Sequence, residues 1–279
     1  MLQLENHYTL HGHLDIVRLY GITKQLDTGA FMLVFRYYEQ GDMHMLYNRK
    51  ENNMSYKEIC ESLRDISRGI SYIHDNGLYH HDLHSGNILL NNKFCYIADL
   101  GICKPANSTS NNKEIVGVLP YIAPEVLCGG LYTQAADIYS FGMLAWVLFA
   151  RQQPFSNMNH SDILQRDICR GLRPYISKSI PEWLAELITC CWNADSTKRP
   201  SAKEIFEAME EYYQIFDVQG SFDFEIDIPE TQDHPSAVYY SRKFAPTVDV
   251  PIPFNSTPGQ SYQSLKDTGK LGLFYSTTT

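Results

Sequence analysis

The stretch His80-His81-Asp82-Leu83-His84-Ser85-Gly86-Asn87 decides how this chain is read. It is a polar loop between two elements of different period. Upstream, Ile59, Leu63, Ile66, Ile70 and Ile73 recur at steps of four and three, which lays one apolar stripe along a helix. Ser55 with Glu58 is a capping-box pattern at the start of that helix, and Asn76-Gly77 stops it. Downstream, Ile88-Leu89-Leu90 and Cys95-Tyr96-Ile97-Ala98 read as short strands joined by Asn91-Asn92-Lys93. Twelve residues after Asn87 comes Asp99-Leu100-Gly101, and further on Ala123-Pro124-Glu125.

Any one of these triplets is common by chance. In this order, at this spacing and with these elements between them, they resemble the protein-kinase set of catalytic loop, magnesium-binding D-x-G and A-P-E. The resemblance covers about Gly12 to Tyr213 and implies an α+β protein-kinase-like fold, mainly the helical C-lobe with a remnant of the N-lobe sheet. Residues 1–38 would be a partial N-lobe, 39–215 the C-lobe and 216–279 a mostly disordered tail. Cys191-Trp192 with Arg199-Pro200 is most similar to the tyrosine-kinase-like and tyrosine kinases. Asp82-Leu83-His84-Ser85-Gly86-Asn87 resembles a large group of fungal kinase-like proteins.

The resemblance implies phosphoryl transfer from ATP to a protein Ser/Thr (or Tyr) hydroxyl. That chemistry needs an acceptor hydroxyl held in line and cations to spread phosphate charge. Asp82 would accept or orient the hydroxyl proton, with His84 in the place of the loop lysine. Asn87 and Asp99 would offer hard oxygens to Mg²⁺. Phe35-Arg36-Tyr37-Tyr38 looks like the hinge, with the backbone of Arg36 and Tyr38 on the adenine edge, Asp42 near the ribose and Leu89 as the adenine floor. Asp137 would anchor the catalytic-loop backbone, and Arg199 would pair with Glu125; breaking such a buried pair costs roughly 3–5 kcal/mol.

The pattern is also broken. No G-x-G-x-x-G loop and no strand lysine precede Gly12, and the match puts Met1 inside the family's regulatory helix. Both elements are expected upstream of Met1 if this is part of an active catalytic domain. His81 replaces the arginine that grips a phosphorylated activation loop, where Ser108, Thr109 and Ser110 lie. His84 and Gly86 stand where kinases place a lysine or arginine; losing one such contact can cost about 10²–10³ in rate. Leu100 replaces the usual phenylalanine, and Val118 a threonine whose hydroxyl would bond near Asp82. A catalytically weak or dead pseudokinase acting as an interaction module is therefore the alternative reading. A small-molecule phosphotransferase with the same triad is a third, opposed by Ala123-Pro124-Glu125 and the helices after it.

The remaining sequence sets bounds. The formal charge of −9 argues against nucleic-acid or anionic-membrane surfaces. The apolar run Ile138 to Ala150 is shorter than the roughly 20 residues a bilayer requires, so it reads as a buried helix. No signal peptide is visible, and seven cysteines without C-x-x-C spacing fit a reducing, cytoplasmic setting. Nothing fixes an oligomeric state. Ile16–Tyr20 and Phe31–Phe35 look like a hairpin around Asp27-Thr28-Gly29, with exposed edges that favour aggregation. Helices are expected from near Thr133, over Ser161 to Cys169, and after Ser179 and Ser201, the last two with Glu182 and Glu204 as capping-box partners. Past Asp217 the chain holds six of its thirteen prolines and loses helical period. Phe222, Phe224, Ile226 and Ile228 alternate with acidic residues, a pattern shared by a strand and by a docking motif, and they are read as part of the disordered tail.

Overall fold

The computed structural model describes residues 2–48, 54–92, 94–105, 115–219 and 232–247. The chain opens with α1 (Leu2–Thr9), then the antiparallel hairpin β1 (Leu19–Lys24) and β2 (Phe31–Phe35). Its turn places Gly29 at φ 68°, a left-handed conformation that glycine adopts without Cβ strain. The first strand starts later than the apolar run Ile16–Tyr20 suggests. Ile16 and Val17 are buried in the helical lobe instead, where Val17 N–H donates to Ile97 O at 3.0 Å. Their apolar side chains gain more there than in a hairpin that exposes both faces.

That exposure is large: Phe31 is 79% and Tyr20 60% accessible. Phe31 sits across from Lys24, so Phe31→Glu would place opposite charges on facing positions. The variant is expected to scatter several-fold less light than the parent at equal concentration, with an unchanged melting temperature. Equal scattering would move the aggregation surface elsewhere.

After α2 (Met43–Asn48) comes α3 (Tyr56–Asp75), the long helix anticipated from the apolar stripe. Its capping box is present, with Ser55 Oγ accepting from Glu58 N–H and Glu58 accepting from Ser55 N–H. Gly69 of α3 faces β5 (Phe94–Ile97), which pairs with β4 (Ile88–Asn91); between α3 and β4 lies β3 (Leu78–Tyr79). A Cβ at Gly69 would lie 2.7 Å from Ile97 Cδ1 and 3.2 Å from Asp15 Cβ. Gly69→Ala should therefore overpack this seam and cost about 1–3 kcal/mol in a denaturant titration. A neutral result would show that Ile97 repacks freely.

Next come β6 (Lys104–Pro105), which pairs with β3, and β7 (Ile115–Gly117). α4 (Pro124–Leu127) precedes α5 (Gln134–Ala150), every residue of which from Ala136 onward is buried. α6 (Asp162–Cys169), α7 (Glu182–Cys191) and α8 (Ala202–Gln219) complete the lobe; α3 packs on α8, and α5 on α7. The architecture is α+β, helix-rich, and its sheets are two-stranded among the described residues. No helix in this part is long and apolar enough to cross a membrane.

Two helix starts differ in kind. Ser201 and Glu204 form the expected reciprocal cap. Ser179 and Glu182 do not, because Pro181 sets the helix start two residues later and the Ser179 hydroxyl pairs with Ser177 at 2.8 Å. A larger difference concerns residues 232–247, inside the stretch expected to be disordered. They lie on the helical lobe and contribute β8 (Arg242–Phe244), antiparallel to β7. α8 likewise runs past the expected boundary at 215. Ser108–Ser110 and Phe222–Ile228 lie outside the described residues.

Candidate active site

The loop 80–87 hangs from Asp137, a fully buried carboxylate in the first turn of α5. Asp137 Oδ2 accepts from His80 N–H at 2.7 Å and faces His74 Nε2 at 2.9 Å. Its Oδ1 accepts from His81 N–H at 3.1 Å and Tyr132 O–H at 2.9 Å. Burial pushes this carboxyl up, but the His74 contact, nearby His80 and the backbone bonds outweigh it and hold the group below its ordinary range. Two consecutive N–H groups aimed at one carboxylate force the backbone to bend. The bend appears as His81 at φ 79°.

That bend presents Asp82 inward. His80 Nε2 lies 2.8 Å from Ala98 O, and Asp82 N–H points to His80 Nδ1 at 3.3 Å. Both contacts are satisfied when the His80 proton sits on Nε2. The same imidazole therefore ties the loop to the strand leading into Asp99. Asn87 closes the arrangement: its Nδ2 donates to Asp82 O at 2.8 Å, and its carbonyl accepts from Ala98 N–H at 2.8 Å. Asp82, Asn87 and Asp99 are thus joined through short backbone links.

Asp82 is 6% accessible. Burial pulls its carboxyl upward, but His84, the Ser241 hydroxyl and His80 together hold it below the ordinary carboxylate range. His84 Nε2 stands 3.7 Å from Asp82 Oδ2, an electrostatic rather than a hydrogen-bond distance. His84 Nδ1 accepts from Gly86 N–H at 3.1 Å, which leaves the ring proton on the Nε2 that faces Asp82. His81 stacks on Tyr132, and desolvation, with Lys104 nearby, drives its pKa down to about 4. It carries no charge near pH 7, in keeping with the loss of the loop arginine.

The donor set suits a hard cation. Asn87 spends its amide N–H₂ on the loop and keeps its side-chain oxygen. Asp99 is exposed and sits at φ 57°, with Oδ1 accepting from Gly101 N–H at 3.3 Å. Two oxygen ligands match a Mg²⁺ ion that takes its remaining ligands from water and phosphate.

The hinge residues are placed less simply. Arg36 N–H is spent on Arg18 O at 2.9 Å, so that group cannot serve a ligand. Tyr38 is buried, and its hydroxyl accepts from Arg18 N–H at 3.2 Å. Both line a cavity of about 560 Å³ with His7, Leu10, Ile16 and Tyr96. Asp42 and Leu89 are not among its lining residues; they form a backbone bridge with each other, and Asp42 Oδ1 accepts from Met45 N–H at 2.8 Å. The structure joins the catalytic-loop residues closely and the four hinge-side residues only in two pairs.

Two further polar positions were not visible in the sequence. Asn6 on α1 is buried and donates to Leu100 O at 2.7 Å and Cys103 O at 3.1 Å, fixing the turn after Asp99. Tyr121 O–H reaches Ser85 Oγ at 3.1 Å and Gln153 Oε1 at 3.0 Å, bracing the loop from beneath. No local pattern flags either one, since each partner is distant along the chain.

Behind the site, Arg199 meets Glu125 with two parallel bonds of 2.7 Å each and donates to Asn193 O and Ala135 O. This is the fork geometry in which arginine is not replaceable by lysine. A family model for protein tyrosine and serine/threonine kinases matches residues 3–209. The chain belongs to that kinase family. It is 31% identical over 202 residues to the serine/threonine/tyrosine-protein kinase HT1 of Arabidopsis thaliana, covering 72% of this chain and 51% of that protein. It is 29% identical over 219 residues to the serine/threonine-protein kinase mos of Patiria pectinifera, covering 75% and 62%. A probable LIM domain-containing serine/threonine-protein kinase of Dictyostelium discoideum is 30% identical over 198 residues, covering 71% and 30%. The chain thus spans about half the length, or less, of most of these relatives.

Proposed function

We propose that this kinase domain transfers the γ-phosphoryl group of ATP to a Ser/Thr (or Tyr) hydroxyl of a protein, with Asp82 orienting the hydroxyl and taking its proton. The observation that carries this is the Asp137-anchored loop, which leaves the Asp82 carboxylate buried, ionised and braced by Asn87. Mg²⁺, when bound, would neutralise phosphate charge, held by Asn87 and Asp99. His84 directs its Nε2–H toward Asp82 and assists as a dipole in the place of a lysine. Arg36 and Tyr38 form the hinge, with Asp42 and Leu89 on the ribose and floor side of the nucleotide. The seven cysteines, six of them buried, form no disulfide, which fits a reducing cytoplasmic setting.

The test is transfer of radiolabel from Mg-ATP to a panel of Ser, Thr and Tyr peptides by the full chain, compared with Asp82→Asn. Label that depends on Asp82 supports the reading; equal label in both proteins, or none in either, removes it. A second reading, a weak or inactive module that works by binding, is favoured by the uncharged His81 and by Gly86 in place of a cation. It expects partner binding that Asp82→Asn leaves unchanged.

A further inference from the structure

The segment 232–247 lies along the lobe as a bound peptide does. β8 adds to β7 with Phe244 opposite Ile115, Lys243 opposite Val116 and Arg242 opposite Gly117. Main-chain pairing of this kind gives affinity with little demand on side chains. Anchors continue on both sides. His234 N–H donates to Ser156 O at 2.7 Å, and Thr247 N–H to Leu127 O at 2.8 Å. Gln165 Nε2 donates to Ala245 O at 2.8 Å, and Pro246 covers Gly129. Tyr239 packs edge-on to His160 and donates to Pro154 O at 3.0 Å. Burial lowers the His160 pKa; its Nε2 lies 3.2 Å from Phe155 O, and its Nδ1 accepts from Val238 N–H at 3.1 Å.

Between these anchors one hydroxyl meets the candidate catalytic carboxylate. Ser241 Oγ donates to Asp82 Oδ2. Gly117, which pairs with the next residue, would bring a Cβ to 3.4 Å from Asp82 Oδ1, so β7 itself runs beside the carboxylate. The neighbouring phenols do not compete: Tyr239 is tied to Pro154, and Tyr240 is 67% exposed. Val118 lacks the hydroxyl expected near Asp82, and the Ser241 hydroxyl reaches Asp82 instead.

We propose that residues 232–247 occupy the acceptor groove of their own chain and that Ser241 is an intramolecular phosphorylation site. This rests on the transfer activity proposed above. In the step, a bond forms between Ser241 Oγ and the γ-phosphorus of ATP, the bond from that phosphorus to the bridging oxygen breaks, ADP leaves, and the hydroxyl proton passes to Asp82. Twelve residues, at most about 43 Å of extended chain, join Gln219 to Gln232, and a tether of that length sets an effective concentration of order millimolar for docking within one chain. Once made, the phosphate brings about −1.5 to −2 charges beside the Asp82 carboxylate and repels the strand. The groove then opens to other proteins, so the segment acts as an occlusion removed by its own modification.

The experiment incubates the full chain with Mg-ATP, maps phosphate by mass spectrometry and follows amide hydrogen exchange at 115–117 and 242–244. The expected result is phosphate on Ser241 with a first-order rate that does not change over a hundredfold range of protein concentration. Both strands should be protected before the reaction and exchange at least tenfold faster after it. Ser241→Thr should retain the reaction and Ser241→Ala lose it without a change in melting temperature. Tyr239→Ala should slow it at least tenfold while speeding transfer to an added peptide. Label on added peptides with Ser241 bare overturns this inference and leaves the proposed activity standing. A rate that rises with protein concentration, or unprotected strands in the starting protein, also overturns it. No transfer to any acceptor removes both.

Discussion

Asp137→Ala is expected to lower the thermal midpoint by roughly 10 °C and to release the loop 80–87 from protection against hydrogen exchange. The cause is local. Removing the carboxylate leaves His80 N–H and His81 N–H, both aimed into a buried site, without acceptors. Each orphaned donor costs about 1–3 kcal/mol, and a domain of this size loses about 2–4 °C per kcal/mol. Tyr132 O–H and His74 lose the same partner. Asp137→Asn keeps one acceptor oxygen of equal size, so its loss should be intermediate. The pH dependence has a definite sign. The folded carboxyl sits below its ordinary value of 3.8, so the unfolded chain takes up protons first. Its contribution is complete above that value and is lost as pH falls through the lower folded pKa. An Ala variant melting within about 1 °C of the parent would show that the loop holds its bend without Asp137.

The site was legible where chemistry restricts residue type and spacing. Asp82, Asn87 and Asp99 stand at fixed separations around a strand pair, and Arg199 with Glu125 needs a charge match that few sequences supply. The apolar stripe of α3 was legible because its period is unambiguous. The first strand of the hairpin was not, since Ile16 and Val17 have the same composition whether they pair with β2 or sink beside Ile97. The Ser179 cap failed on one competing residue, Pro181. Residues 232–247 were hidden for a different reason. Their order comes from main-chain bonds to β7 and from pockets for Tyr239 and Pro246, and none of these leaves a periodic signal in the segment itself. Only Ser241-Arg242-Lys243, a basic pair after a hydroxyl in an acidic chain, hints at something other than a linker.

Asp82→Asn should reduce transfer to Ser241 and to added peptides by about 10²–10⁴-fold, the range ascribed to a positioned general base. The substitution suits the question because it keeps the volume and an oxygen that accepts from Ser241 Oγ. It removes the charge that accepts a proton. Docking of 232–247 should therefore persist, with β7 and β8 still protected, while turnover collapses. That separation distinguishes a catalytic carboxylate from a structural one. If Asp82 served only to hold the segment, Asn, which keeps that acceptor, would leave both the protection and the rate near those of the parent. If Asp82 is the base, protection stays and the rate falls for every acceptor alike. The same pair of measurements bears on His84. Its Nε2–H faces the Asp82 oxygen, and with Asn in place the dipole has no full charge to steady. A His84→Gln change made on the Asp82→Asn background should add less than tenfold to the loss, because groups that act as a unit are not additive. A full additive loss would place His84 on the phosphate side of the reaction instead.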